Sequence, residues 1–224
     1  MRVVQPAGAR GSLKWLQRAV AERWNDLERP LLDGLAGATA IEWLSPLEED
    51  DFAEYRDAAF LRRLGLGELT DELREFWPAR GPQWDALARS DRGHVILLEA
   101  KAHIGEFCSP PSQASSTSLT RINAALRATA AGLGVRETHA DEWGRQFYQY
   151  ANRLAHLDWL VRQGVDACLA LVGFVHDEDM PGNTTMEAWE AAYLVADYVL
   201  GLPRRHRLSR RIVHAYPTVE GRLP

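Results

Sequence analysis

The stretch from His94 to Ile104, His-Val-Ile-Leu-Leu-Glu-Ala-Lys-Ala-His-Ile, limits the fold more than any other part of the chain. Successive side chains of an extended segment point to opposite faces. Ile96, Leu98, Ala100, Ala102 and Ile104 make one face wholly apolar, and Val95 and Leu97 begin the other in the same way. A strand apolar on both faces belongs inside a sheet covered by helices on each side. The nine-residue apolar run Ala167–Val175 asks for the same environment. It is far too short to cross a membrane. Charge then breaks the second face of the first strand, because Glu99, Lys101 and His103 all project there.

The segments around these strands have helical periodicity and turn residues between them. Ser12 opens an amphipathic helix carrying Leu13, Leu16, Val20, Trp24 and Leu27, and residues 1–11 before it read as frayed. A short strand over 39–44 leads into helices over about 49–64 and 68–77. After the strand pair 82–88 and 94–104 come a loop rich in serine and proline over 105–118 and a helix over 119–131. A long helix over 141–163 precedes the apolar strand 166–175. The Thr184-Thr-Met-Glu187 capping box starts a helix that runs to Gly201, and a strand over 211–216 closes the chain. The expectation is one α/β domain over 1–224, with a central mixed sheet and extra helices.

The hairpin brings a further residue to the charged face. With Gly93 left-handed in a three-residue Asp91-Arg92-Gly93 loop, Asp85 falls opposite Glu99. Directly opposed side chains have Cβ atoms roughly 5 Å apart. Two carboxylates so placed repel unless a cation lies between them. Mg²⁺ (or Mn²⁺) suits such a pair, since it takes one or two carboxylates and keeps its other positions for water and phosphate oxygens. Lys101 could orient or deprotonate a bound water, or neutralise developing charge.

Composition sharpens the case for Lys101. Of 26 basic residues, only Lys14 and Lys101 are lysine and the rest are arginine. A lysine that stands in such a background offers what arginine cannot, a compact ammonium whose pKa can be moved. The net charge of −5 excludes a basic coat protein held to nucleic acid by overall charge, though not a local basic groove. Two cysteines 60 residues apart make neither a disulfide framework nor a metal motif. With no apolar leader at the N-terminus, the expected setting is reduced and cytoplasmic.

Asp85, then Glu99-Ala100-Lys101 fourteen residues later on an apolar strand, resembles the PD-(D/E)XK nuclease superfamily, whose fold is restriction-endonuclease-like. The resemblance covers about 81–175 and implies an αβββαβ core. It also implies an Asp85–Glu99 metal site helped by the Ala100 carbonyl, with Lys101 serving the attacking water. Gln146 and Tyr150 in Gln-Phe-Tyr-Gln-Tyr are similar to the Gln-x-x-x-Tyr element of the recombination-exonuclease-like branch. They would bind substrate from one helix face. Glu54 is chosen as the helical acidic residue of that pattern, with Glu28 and Glu42 as alternatives. The pattern is not literal, since Trp84 precedes Asp85 and the nearest proline is Pro82. The resemblance implies hydrolysis of nucleic acid, DNA before RNA.

Several residues have plainer readings. His103 serves as a hydrogen-bonded structural histidine, and His176-Asp177 as a polar strand end. The 109–118 loop is either a substrate rim or simply surface. Five arginines within 204–211 form either a phosphate-tracking patch or a solvated face. The competing class is a non-catalytic module that keeps the nuclease fold, recruited by a protein partner or forming a homo-oligomer.

Overall fold

The computed structural model describes residues 1–182 and 184–222. Seven strands are formed among the described residues: β1 Arg2–Val3, β2 Ile41–Ser45, β3 Glu54–Tyr55, β4 Ala86–Ser90, β5 Val95–Lys101, β6 Ala167–Gly173 and β7 Ile212–Ala215. The helices are α1 Gly11–Ala21, α2 Asn25–Gly34, α3 Ala58–Arg63, α4 Thr70–Phe76, α5 Ile104–Phe107, α6 Ser116–Gly132, α7 Glu137–Ala140, α8 Tyr148–Arg162 and α9 Met186–Val199. Five strands make the central mixed sheet in the order β2-β4-β5-β6-β7. β2, β4 and β5 form an antiparallel meander, whereas β6 and β7 continue parallel to β5.

The two faces of β5 go where its sequence sends them. Ile96, Leu98 and Ala100 pack with Ala86, Ala88, Ala170 and Val172 under the tryptophans and leucines of α1 and α2. Val95 and Leu97 lie on the opposite face with Leu87 and Leu169, under α6 and α8. Glu99 and Lys101 share that second face, so the catalytic candidates look toward α8.

The hairpin has the expected register. Ala86 pairs with Leu98 and Arg89 with Val95, and Gly93 turns with φ +84°. The Ser90 hydroxyl accepts from the Arg92 and His94 N–H groups at 3.2 Å. The Asp91 carboxylate takes the Thr39 N–H at 3.0 Å and the Thr39 hydroxyl at 2.8 Å, fixing the start of β2 against the turn.

Elsewhere local pattern gave way to longer-range pairing. The N-terminus is not frayed: β1 pairs with β3, and the Gln17 side chain accepts from Gly8 N–H and donates to the Pro6 carbonyl. The first helix begins at Gly11 after Arg10, which caps nothing, so Ser12 is not its cap. That helix also breaks at Arg23 (φ +54°), which lets Trp24 turn into the core. The expected helix over 49–64 is a short turn, then β3, then α3. Asp51, Phe52 and Asp57 adopt left-handed backbone there, which no continuous helix allows. The helix expected from 141 starts at Tyr148, after a 3₁₀ turn over Asp141–Gly144 and left-handed Phe147 (φ +53°). Thr185, not Thr184, caps α9, its hydroxyl accepting from Ala188 N–H at 3.3 Å. In the arginine-rich segment, Arg207 pairs with fully buried Asp158 at 2.7 Å and Arg211 with Asp166 at 2.5 Å. Those two arginines are tied into ion pairs, while Arg204, Arg205 and Arg210 stay exposed.

Replacing Gly93 with alanine should cost about 1 kcal/mol, because a Cβ is disfavoured at positive φ. Urea denaturation should show a lower midpoint at unchanged slope; no change in the midpoint would mean that the turn does not hold the register.

Candidate active site

The candidate site lies where β4 stops and β5 continues. β4 pairs with β5 only as far as Ala86. One residue earlier, the Asp85 side chain takes the place of a strand, with Oδ2 accepting from the Ala100 N–H at 2.8 Å. The Lys101 carbonyl accepts from Phe174 N–H on the β6 side at 2.9 Å. Backbone groups of successive strand residues leave by alternate edges. The N–H and carbonyl of Ala100 therefore both face the vacated β4 edge, next to Asp85.

Glu99 is buried and held from two directions. Lys101 Nζ lies 2.5 Å from Oε1, and Arg153 of α8 contacts Oε2 through Nε at 2.6 Å and Nη2 at 2.5 Å. Arg153 also donates to the Gln83 carbonyl and to Asn152 Oδ1, both at 2.8 Å, and its guanidinium lies 4.9 Å from the Trp84 ring. Every one of these contacts fixes its plane. Glu54, buried on β3, accepts from the Gln83 side-chain amide at 2.5 Å. Glu54, Asp85, Glu99, Lys101 and Arg153 line one open groove of about 470 Å³.

The far wall of this groove is the Ser109–Gln113 loop. Ser109 is buried, and its hydroxyl accepts the Gln149 N–H at 2.9 Å, satisfying a donor in the first turn of α8. The serine-rich loop is thereby tied to the same helix that carries Arg153.

Three carboxyls face two cations here, and their ionisation follows from that count. Burial, reinforced by the charge on Glu99, pushes Asp85 up to about 8. Burial also raises Glu54, with Glu99 adding to the effect against the Gln83 bond. Glu99 behaves oppositely: burial works against its charge, but Arg153 and Lys101 outweigh it and hold the carboxyl below its ordinary value. Lys101 is desolvated too, yet Glu99 and Asp85 raise its pKa, so it is an ammonium at neutral pH. Asp85 is the group left to carry a proton.

The sequence candidates thus divide. Asp85, Glu99, Ala100 and Lys101 come together as the hairpin register requires. Glu54 joins them, but from a strand paired with the N-terminus rather than from a helix. Gln146 and Tyr150 do not reach the groove. Gln146 is exposed before α8 begins. Tyr150 is buried toward α9, where its hydroxyl donates to Asp197 at 2.9 Å and its ring packs on Phe107 and Tyr193. Tyr148, Gln149, Asn152 and Arg153 line the groove in their place. Arg153 is not among the residues that the sequence pattern singles out. Its signal is the polar pair Asn152-Arg153 in the middle of α8, both of them buried. His103 turns to Glu106 at 3.5 Å, and His176-Asp177 lines a separate surface cavity.

Among the described residues, no three Asp, Glu, His or Cys side chains converge as metal ligands. The donors at the strand end are all oxygens: the Asp85 carboxyl, the Glu99 carboxylate whose oxygens also hold Lys101 and Arg153, and the Ala100 carbonyl edge beside them. That set suits a hard cation that keeps most of its own water, and it lacks the imidazole or thiolate donors of a zinc centre. No protein-family model, curated protein or solved structure matches this chain. Among the described residues no helix is long and apolar enough to cross a membrane.

Two outcomes are expected of the metal-free protein. Asp85→Asn keeps an acceptor for the Ala100 N–H while removing the charge. Asp85 ionises near 3.8 in the unfolded chain and near 8 when folded, so its contribution to stability is full below the first value and lost as pH rises through the second. The thermal midpoint of Asp85→Asn should exceed wild type by a margin that grows between pH 4 and 8; a margin that shrinks with pH contradicts the assignment. Arg153→Met removes one partner of a buried pair and should cost about 3–5 kcal/mol in urea denaturation; a cost under about 1 kcal/mol would show that Glu99 does not depend on it.

Proposed function

We propose that this protein is a divalent-metal-dependent nuclease of restriction-endonuclease-like fold, acting on nucleic acid, with DNA as the first substrate class. One observation carries the reading. The hairpin register sets Asp85 beside Glu99-Ala100-Lys101 at the open end of a buried strand, in a groove that Glu54 and Arg153 also enter. The topology supports it as well. Helices α1 and α2, the antiparallel meander β2-β4-β5, the crossover helix α8 and parallel β6 follow the αβββαβ order of the superfamily that the Asp…Glu-x-Lys pattern resembles.

Asp85, Glu99 and the Ala100 carbonyl would hold Mg²⁺ or Mn²⁺, which supplies electrophilic activation of the phosphodiester and a more acidic bound water. The side chains account for the rest. Asp85 would release its proton to solvent on taking up the ion. Lys101, already an ammonium, donates toward the charge that grows on the phosphoryl oxygens and is poorly suited to act as the base. Arg153 keeps the Glu99 carboxylate in one orientation and adds positive potential at the groove floor. Arg80, exposed on the groove wall, offers a contact to the incoming backbone.

Calorimetric titration with Mn²⁺ and cleavage assays on single- and double-stranded DNA and RNA test the assignment together. Asp85→Ala and Glu99→Gln should lose both binding and cleavage. Lys101→Ala should retain metal and lose cleavage by roughly 100-fold or more. Wild type that binds no metal, even with nucleic acid present, would overturn the nuclease reading and favour a non-catalytic module of the same fold.

A further inference from the structure

Beside the carboxylate groove lies a second cavity of about 390 Å³, within the range of small-molecule sites. The two share a wall at Gly81 and Pro82. The character of the second is different. Phe60, Leu73, Trp77 and the His156 ring give it an apolar, largely aromatic lining, while Arg74 and Arg121 stand exposed at its mouth. Arg74 pairs with Asp71 at 2.7 Å, whereas Arg121 has no ion-pair partner among the described residues.

Two acceptors meet inside this cavity. His156 is 1% exposed, and its Nδ1 lies 2.8 Å from the Asn152 carbonyl. A carbonyl can only accept, so Nδ1 carries the hydrogen and Nε2 is left with a free lone pair. Nε2 has no hydrogen-bond partner among the described residues. Burial keeps this ring neutral, with its pKa lowered to about 3. The second acceptor is Asp57, whose carboxylate takes the Gly81 N–H at 2.9 Å and the Arg80 N–H at 3.3 Å. The backbone of Asp57 is left-handed, with φ +52°. A side chain beginning at Gly81 would lie 3.2 Å from Trp77 Cδ1, 3.5 Å from Asp57 Oδ1 and 3.7 Å from His156 Nε2, so both acceptors border one small space beside the indole. The glycine keeps that space open.

A flat, aromatic ligand with N–H donors on its edge and an anionic tail matches these features. We propose that the cavity holds an amino-bearing nucleobase (guanine, adenine or cytosine) of the strand whose phosphodiester lies in the adjoining groove. The inference rests on the nuclease reading for that second half. Trp77 and the His156 ring meet edge to face at 4.7 Å and wall the base on one side, and discrimination would come from the paired acceptors. Thymine and uracil offer a single ring N–H between two carbonyl oxygens, and those oxygens would face the Asp57 carboxylate unpaired. Arg121 and Arg80 lie at the mouth and on the ridge between the cavities, where phosphates would pass.

The test uses metal-free wild type and Ala58→Trp, which fills the cavity from its partly exposed α3 wall. Nucleoside 5′-monophosphates are titrated against intrinsic tryptophan fluorescence. Short single-stranded oligonucleotides, intact or with one abasic position, are compared by anisotropy. Wild type should prefer the guanine, adenine or cytosine nucleotide over thymidine and uridine nucleotides by roughly 10-fold, and the intact oligonucleotide over the abasic one by a similar factor. Ala58→Trp should lose both preferences. Equal binding of intact and abasic strands by wild type, with no monophosphate preference, would overturn the inference even if the variant does not fold. The two proposals fail separately. Metal-dependent cleavage with no base preference removes this pocket and leaves the nuclease. Base-selective binding with no cleavage of any substrate removes the nuclease and leaves the pocket.

Discussion

Glu99 is a carboxylate taken out of water on a strand that is otherwise apolar, and an unpaired charge there would cost several kcal/mol. Lys101, two residues along the same strand, compensates one oxygen, and Arg153 from the crossover helix compensates the other. The second contact reaches 54 positions along the chain, so the crossover helix can dock in only one rotation about its axis. From that rotation follow the positions of Gln149 and Asn152 on the groove, the burial of Tyr150 on the opposite side, and the anchoring of the 109–113 loop through Ser109. The two cations are committed to Glu99, which leaves Asp85 and Glu54 with raised pKa values and a cluster that gains from a further positive charge.

The sheet puts this cluster at an end where chemistry can reach it. Ligands of open α/β sheets gather beyond the carboxyl ends of the parallel strands, and Glu99 and Lys101 close β5 at that end. β4 runs antiparallel and stops short, so its missing ladder position exposes backbone of β5 to solvent-side groups. Asp85 satisfies the Ala100 N–H there and leaves the neighbouring carbonyl edge open. A longer β4 would pair that backbone and close the site.

What the sequence revealed was local. The alternation of β5, the left-handed Gly93 and the short turn set the register, and the register alone brings Asp85 to Glu99. Contacts between distant segments left no such trace. Glu54 falls inside the helix expected over 49–64, between Pro46 and Gly65. Its true place is a two-residue strand made by pairing with Arg2–Val3, more than 50 positions away, and no periodicity encodes that. The helix expected from Asp141 lost its first turns to left-handed Phe147, so Gln146 and Tyr150, four apart in sequence, never shared a face. Arg153 was hidden by the abundance of arginine. Its burial, not its identity, marks it out, and burial is a property of the folded chain. The charge at Lys101 was legible for the reason that Arg153 was not, because lysine is rare here.

We propose that a divalent cation binds between Asp85 and Glu99. Fe²⁺ substituted for Mg²⁺, with ascorbate and peroxide, generates hydroxyl radicals that cut the polypeptide close to the bound ion. Mapping those cuts by mass spectrometry locates the ion without reference to any substrate. The account predicts cuts confined to the segments around Asp85 and Glu99–Lys101, suppressed by excess Mg²⁺ and missing in Asp85→Asn. Cuts elsewhere on the chain, or none that Mg²⁺ suppresses, would contradict it.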